Sequence, residues 1–172
     1  MDIMNALFNR KSIRQYRDLE VEDKKIEKLL KAGMQAPSAH NTQPWEFIVV
    51  QDPVAIEKIA LMSKYAKPAH NSPCCIITLC NMNNVKDKKT EDWIQQDMSA
   101  CTENILIQAV EEDLGAVWLG TYPDEERSNY LRELFNVPEH IIPFSVIVVG
   151  YPKEKYEAED RFDETKIHYE VY

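Results

Sequence analysis

The sequence predicts one domain that mixes helices and strands, an α+β or three-layer α/β arrangement. Three observations carry this. Helical and strand patterns alternate from Trp45 to Gly150. The run CCIITLCN, residues 74–81, is apolar throughout, as a strand buried on both faces would be. The stretch from about Trp93 to Leu114 is apolar over much of a helix's girth, which places it centrally or between two subunits. A chain of 172 residues suits one domain with a real core and is short for two.

The elements follow in order. Residues 2–9 read as a short helix with Ile3, Leu7 and Phe8 on one face. Residues 22–35 read as a stronger one, with Ile26, Leu29, Leu30, Gly33 and Met34 at helical spacing. The uncharged connection APSAHNTQP leads into a strand from Trp45 to Gln51. PVAIEKIALMSKYA starts a helix at Pro53, with Ile56, Ile59, Ala60 and Tyr65 on its apolar side. After the strand 74–81, MNNVKDKKTED reads as a polar surface loop. The long helix then carries Ile94, Met98, Cys101, Ile105 and Ala109 as one stripe, and Leu106 and Val110 as a second. Gly115 just past its end opens the strand GAVWLGT. DEERSNYLRELFNV is a helix with acids in its first turn and Leu131, Leu134 and Phe135 inward. FSVIVVGYP is a fourth strand.

The last twenty residues differ. KEKYEAEDRFDETKIHYEVY is charged, rich in Tyr and without helical period. Its end sets Ile167, Tyr169 and Val171 against Lys166, His168 and Glu170, like a lone strand. Such a strand needs an edge to pair with, and a second copy of the chain would offer one.

The balance of charge narrows the partners. A net charge of -9 argues against nucleic acid and anionic membranes. No apolar run approaches the roughly 18 residues that span a bilayer. The N-terminus places Asp2 where a secretory signal would carry basic residues. Cys74, Cys75, Cys80 and Cys101 form no CxxC or zinc spacing and read as buried reduced thiols, so the expected location is cytoplasmic. The four glycines form neither a Rossmann turn nor a P-loop. His40 and His168 have no Ser or Cys at a diagnostic spacing. Trp93 and Trp118 read as core.

Four stretches could carry chemistry. NRKSIRQYR packs Arg10, Lys11, Arg14 and Arg17 into eight residues of an acidic chain. Arg forks suit a phosphate, and extended backbone would point Arg10, Ser12 and Arg14 the same way. Read alone, it also serves as a solvated basic loop. Ser38, Asn41, Thr42 and Gln43 offer neutral groups that could read the edge of a flat heterocycle. The same stretch also works as a turn, with Pro37 as helix stopper. Gly120, between strand and helix, would let backbone approach a ligand, or is simple turn chemistry. Arg161 is the fourth, by pattern alone a surface residue.

Together these segments are far more specific. NRKSIRQYR, APSAHNTQPWEFIVV, DMSACTENILIQAVEEDLGAVWLGTYP and FSVIVVGYP, in this order and spacing, resemble the nitroreductase family of FMN-dependent oxidoreductases over essentially the whole chain. The resemblance implies an α+β, three-layer fold with a central mixed sheet flanked by helices. It implies one domain over residues 1–172, in an intertwined homodimer with FMN at the subunit interface and residues 152–172 reaching over the partner. It assigns Arg10, Lys11, Ser12 and Arg14 to the FMN phosphate and ribityl chain. Pro37, Ser38, Ala39, Asn41 and Gln43 would meet the flavin of the other subunit. Trp118, Leu119, Gly120 and Thr121 would lie against the ring, and Arg161 would complete the phosphate site. Two departures stand out. The chain lacks the excursion that covers the site in larger relatives. It also has Gly120 where some of those carry an acid, which points to a backbone contact there.

The implied reaction is ping-pong: NADH or NADPH reduces FMN, and an electron-poor acceptor such as a nitroaromatic or quinone reoxidises it. No protein nucleophile or acid/base pair is needed, because the cofactor carries the chemistry. A flavin carrier or sensor without turnover, and dehalogenation or flavin fragmentation on the same fold, stay open as alternatives.

Overall fold

The computed structural model describes residues 3–85, 88–157 and 159–172. Its sheet grows from β2 (Cys74–Asn81), whose successive side chains point to opposite faces. Cys74, Ile76 and Cys80 enter one core, and Cys75, Ile77 and Leu79 enter another. A strand apolar on both faces needs cover on both, and this one has it. The strand order is β1-β2-β4-β3, with β1 (Trp45–Val50), β3 (Gly115–Gly120) and β4 (Ile141–Gly150) around it. On the first face lie α2 (Asp23–Met34) and the 18-residue α5 (Ile94–Glu111). On the second lie α3 (Pro53–Ala60) and α6 (Glu125–Phe135), which contribute Ile56, Ile59 and Leu131. The fold is therefore three-layered, with the sheet in the middle. Two shorter helices remain, α1 (Ile3–Asn9) and α4 (Lys88–Glu91).

Local chemistry sets several boundaries. Asp52 accepts from the Ala55 N–H, and Pro53 follows as first residue, so α3 starts there. Asp124 does the same for Arg127 at the start of α6. Pro143 sits in a central strand, where it cannot donate to the ladder, and β4 bulges beside it: Thr78 pairs with Ser145 and Leu79 with Pro143, which leaves Phe144 unpaired. Beside the bulge, Thr78 and Ser145 share a hydroxyl hydrogen bond of 2.8 Å, both fully buried.

The outer edge of β3 is covered by the segment after α1. Ser12 bridges to Ala116 in parallel, Tyr16 bridges to Pro152, and the Ile13 N–H donates to the Ala116 carbonyl at 2.9 Å. This approach requires Gly115, since a Cβ there would lie 2.7 Å from the Ile13 Cβ. The outer edge of β1 pairs with no strand among the described residues.

Some expectations need correction. The sheet is not mixed: its strand pairings are all antiparallel, and the parallel pairing among the described residues is the isolated Ser12–Ala116 bridge. The tail was the remaining strand candidate, but within one chain it finds no edge. It forms a 3-10 turn over Glu164–Lys166, and Tyr169, Val171 and Tyr172 are exposed. In α1, Ala6 is buried, while Leu7 and Phe8 are exposed because the helix packs on α5 through its other side. Asp2 and the side chain of Ile3 lie outside what is described. Trp93 is also exposed, standing just before α5 rather than in the core, and Tyr65 projects from the surface beyond α3. The loop expected over residues 82–92 contains α4, and residues 86 and 87 lie outside the described set.

Candidate functional site

The chain leaving α1 delivers Arg10 and Lys11 into a cavity of about 400 Å³. Arg161 reaches the same cavity from the tail, with Leu7, Phe8 and Phe162 as apolar walls. Each cation has a carboxylate partner. Arg10 Nε meets Glu103 Oε1 on α5 at 3.2 Å, and Glu159 meets Lys11 Nζ at 4.0 Å and Arg161 Nη2 at 3.8 Å. The two Glu159 pairs are exposed and contribute only about 0–1 kcal/mol, so an incoming dianion can displace that carboxylate, while the Arg10–Glu103 pair is half-buried. Burial pushes the Glu103 carboxyl up, and Arg10 pulls it back.

Arg14 goes elsewhere. It lines a second depression of about 600 Å³ with Tyr16, Lys64, Lys67, Asn71 and Lys153. The expected convergence of Arg10, Ser12 and Arg14 on one anion therefore does not occur. The segment forms no strand and pairs with β3 and the chain after β4 through isolated bridges, so strand alternation does not govern its side chains. Lys64, Lys67 and Lys153 were missed from the sequence. One signal was available: no acid occurs between Glu57 and Asp87.

The connection after α2 is strained. His40, Asn41 and Gln43 have φ of 51°, 53° and 47°, in the left-handed region that costs a non-glycine residue about 1–2 kcal/mol. Internal bonds hold part of it: the Gln43 N–H donates to Ser38 Oγ at 2.9 Å, and Gln43 Nε2 to Asn41 Oδ1 at 3.1 Å. The Ala39 N–H donates outward to Asp97 Oδ1 on α5 at 2.9 Å. Asn41 and Gln43 stay exposed, as does Pro37, while the Thr42 Oγ1 is buried without a hydrogen-bond partner. The turn thus presents neutral donors and acceptors on a pre-formed backbone.

At the C-terminal end of β3, Leu119 is buried and Trp118 is half-buried, with its ring 6.1 Å from that of Phe144. Gly120 is exposed, and a Cβ on it would meet nothing within 4 Å. The Gly120 carbonyl accepts from Arg127 Nη1 at 3.0 Å. Next to it, the buried Thr121 Oγ1 has no partner.

One chain therefore brings Arg10, Lys11 and Arg161 together and keeps the other groups apart. None of Pro37 to Gln43 lines the Arg10 cavity. Ser12 lies beside Ala116 near the start of β3, roughly 13 Å of strand from Gly120 at its end. The four cysteines are buried free thiols, and burial pushes Cys74, Cys80 and Cys101 up to about 12. Among the described residues, no cluster of His, Cys, Asp or Glu could hold a metal ion, and no helix is long and apolar enough to cross a membrane.

Comparison with known proteins gives a consistent result. The sequence profile of the Nitroreductase family matches residues 7–70 and 60–151. A protein of Archaeoglobus fulgidus, provisionally named NADH dehydrogenase/NAD(P)H nitroreductase, is 44% identical over 174 residues, which is 99% of each chain. A Clostridium acetobutylicum crystal structure, provisionally described as an NADH oxidase, superposes with a TM-score of 0.92 at 49% identity, covering 97% of this chain and 99% of that one. An FMN-dependent nitroreductase from Clostridium difficile superposes at 0.88 with 30% identity, covering 98% and 99%.

Proposed function

The chain belongs to the nitroreductase family, and on that premise we propose that it is an FMN-dependent NAD(P)H oxidoreductase. One observation carries the cofactor reading: Arg10, Lys11 and Arg161, some 150 positions apart at the extremes, line one cavity in a chain of net charge -9. Three cations against the lining acids Glu159 and Asp160 leave the cavity positive, which suits a phosphate. Two further features fit a flat ring nearby, the open space above Gly120 and the unpartnered Thr121 Oγ1. Relatives point the same way: the Clostridium difficile neighbour is described as FMN-dependent, and a Bacillus subtilis relative at 25% identity over 99% of this chain is an NAD(P)H FMN reductase.

FMN, when bound, supplies a two-electron relay that takes hydride from NADH or NADPH and delivers it to an electron-poor acceptor such as a nitroaromatic or quinone. The protein binds and orients. Arg10, Lys11 and Arg161 hold the phosphate end, while Ser12, bridged to Ala116, lies outside their cavity. Ser38, Asn41 and Gln43 offer hydrogen bonds to a heterocycle edge, while Pro37 and Ala39 shape their turn. Trp118, Leu119, Gly120 and Thr121 form a wall with room for a ring. Arg14, with Lys64 and Lys67 beside it, supplies positive potential where negative charge accumulates on electron uptake.

Because the 37–43 turn lies outside the Arg10 cavity, a second copy of the chain is the natural source of the missing half. The unpaired edge of β1 and the exposed apolar residues of the tail support such a homodimer. The decisive experiment is an absorbance spectrum of the purified protein, then anaerobic titration with NADH and NADPH and turnover with menadione. Flavin bands that bleach on titration and return with menadione are expected. A protein without flavin, or with flavin that neither coenzyme reduces, overturns the reading.

A further inference from the structure

Asp97 opens the segment DMSACTENIL that helps carry the family resemblance, but it was given no role from the sequence. It sits in the first turn of α5 and is 6% exposed. Its Oδ1 accepts from the Ala39 N–H at 2.9 Å, while its Oδ2 is buried with no hydrogen-bond partner. A carboxylate with half its accepting capacity unmet is a poor choice for stability alone, since buried charge is costly unless satisfied.

What it holds is informative. Ala39 opens the turn in which His40, Asn41 and Gln43 are left-handed. Most of the turn's bonds are internal: Asn41 N–H to the Ser38 carbonyl, Thr42 N–H to the Ala39 carbonyl, and Gln43 N–H to Ser38 Oγ. Its trailing end is tied by Asn81, whose N–H donates to the Pro44 carbonyl at 2.7 Å, and loosely by Asn84 Nδ2 to the Gln43 carbonyl at 3.5 Å. Its leading end is tied to the rest of the chain by Asp97. Strained backbone persists only where its surroundings over-determine it, and at this end the determinant is one carboxylate oxygen.

We infer that Asp97 is a positioning residue for cofactor binding: through the Ala39 N–H it holds the Ser38–Gln43 turn in the conformation that presents its neutral groups to a flavin. This rests on the flavin reading of that turn. Asp97 itself touches no reacting atom.

The test is FMN affinity, read by quenching of flavin fluorescence on the apoprotein, with melting temperature as a check on folding. Asp97→Ala removes the acceptor, and Ala39→Pro removes the donor without touching Asp97. Each should weaken FMN binding about tenfold, the scale of one well-placed hydrogen bond. The double variant should be no weaker than either single one within about threefold, because both remove the same bond. Asp97→Asn keeps the accepting oxygen and should bind FMN within about threefold of wild type. Wild-type affinity in Asp97→Ala, or an Asp97→Asn as weak as Asp97→Ala, overturns the inference. If Asp97→Ala does not fold, weak binding by Ala39→Pro together with intact binding by Asp97→Asn supports it, and any other pair of results overturns it. A wild-type protein that binds no FMN overturns the flavin reading itself, and differs from tight wild-type binding that the variants leave unmoved.

Discussion

Arg10, Lys11 and Arg161 approach their cavity as charged side chains, each already paired with a carboxylate. Ser38, Asn41 and Gln43 carry no charge, and they sit on a turn forced into left-handed backbone. The first region is built from side chains that can exchange partners. The second is built from backbone that is fixed before any ligand arrives. The difference matches two kinds of recognition. A phosphate is met by charge, which acts over distance and tolerates motion. The edge of a heterocycle is met by hydrogen bonds, which need donors and acceptors held in place.

The comparison breaks most visibly at Arg10. Arg10→Ala should weaken FMN binding by roughly 2–4 kcal/mol, because it removes a cation and leaves the Glu103 carboxylate facing the phosphate. Flavin fluorescence titration reads this, and unchanged affinity would remove Arg10 from the phosphate site. Gly115→Ala attacks the frame behind the charges. Its methyl would meet the Ile13 Cβ at 2.7 Å and push the basic segment off β3. A stability loss of about 1–3 kcal/mol is expected on thermal unfolding, with weaker FMN binding alongside. A variant with wild-type melting would show that the segment can shift freely.

Gly120→Ala separates site from fold. Nothing within 4 Å opposes the added methyl, so stability should change by less than about 0.5 kcal/mol. FMN affinity should still fall, because the methyl enters the space assigned to the ring. Equal affinity would place the ring elsewhere.

The smallest expected effect concerns Asp97. Burial raises its pKa above the ordinary carboxylate value, partly offset by the Ala39 N–H. A raised folded-state value means that the fold favours the protonated form. Wild type therefore gains stability as pH falls through the raised value and loses it as pH rises. Asp97→Asn lacks the charge, so it should melt slightly above wild type at about pH 7, with the gap closing near pH 4. The neighbouring Cys80 thiol, pushed up to about 12 by burial and then by Asp97, stays neutral throughout. A gap that widens on acidification would contradict the sign.

Much of the fold was legible because periodicity reports burial. The spacing in residues 22–35 located α2 and its buried Ile26, Leu29 and Gly33, and the unbroken apolar run located β2. The same logic failed for Leu7, Phe8 and Trp93, which are exposed in the single chain. Apolar character marks a surface that wants cover and does not say whether the cover comes from the same chain. In the site, Arg10 and Lys11 stood out by type and motif, Arg161 only through the family resemblance, and the three line one cavity. The direction of Arg14 was not legible, because it follows from two isolated bridges that no local pattern encodes. The role of Asp97 was invisible for a similar reason. Its partner is a backbone N–H 58 positions away, and a backbone donor leaves no trace in residue type.

By itself the sequence determined most of the elements and the family, since these follow from the order of apolar periods and from motifs whose residue types are chemically constrained. Only the tertiary structure decided which charges share a cavity, which turn is strained and what restrains it. Those depend on contacts between distant segments, and their geometry is set by packing rather than by neighbours along the chain.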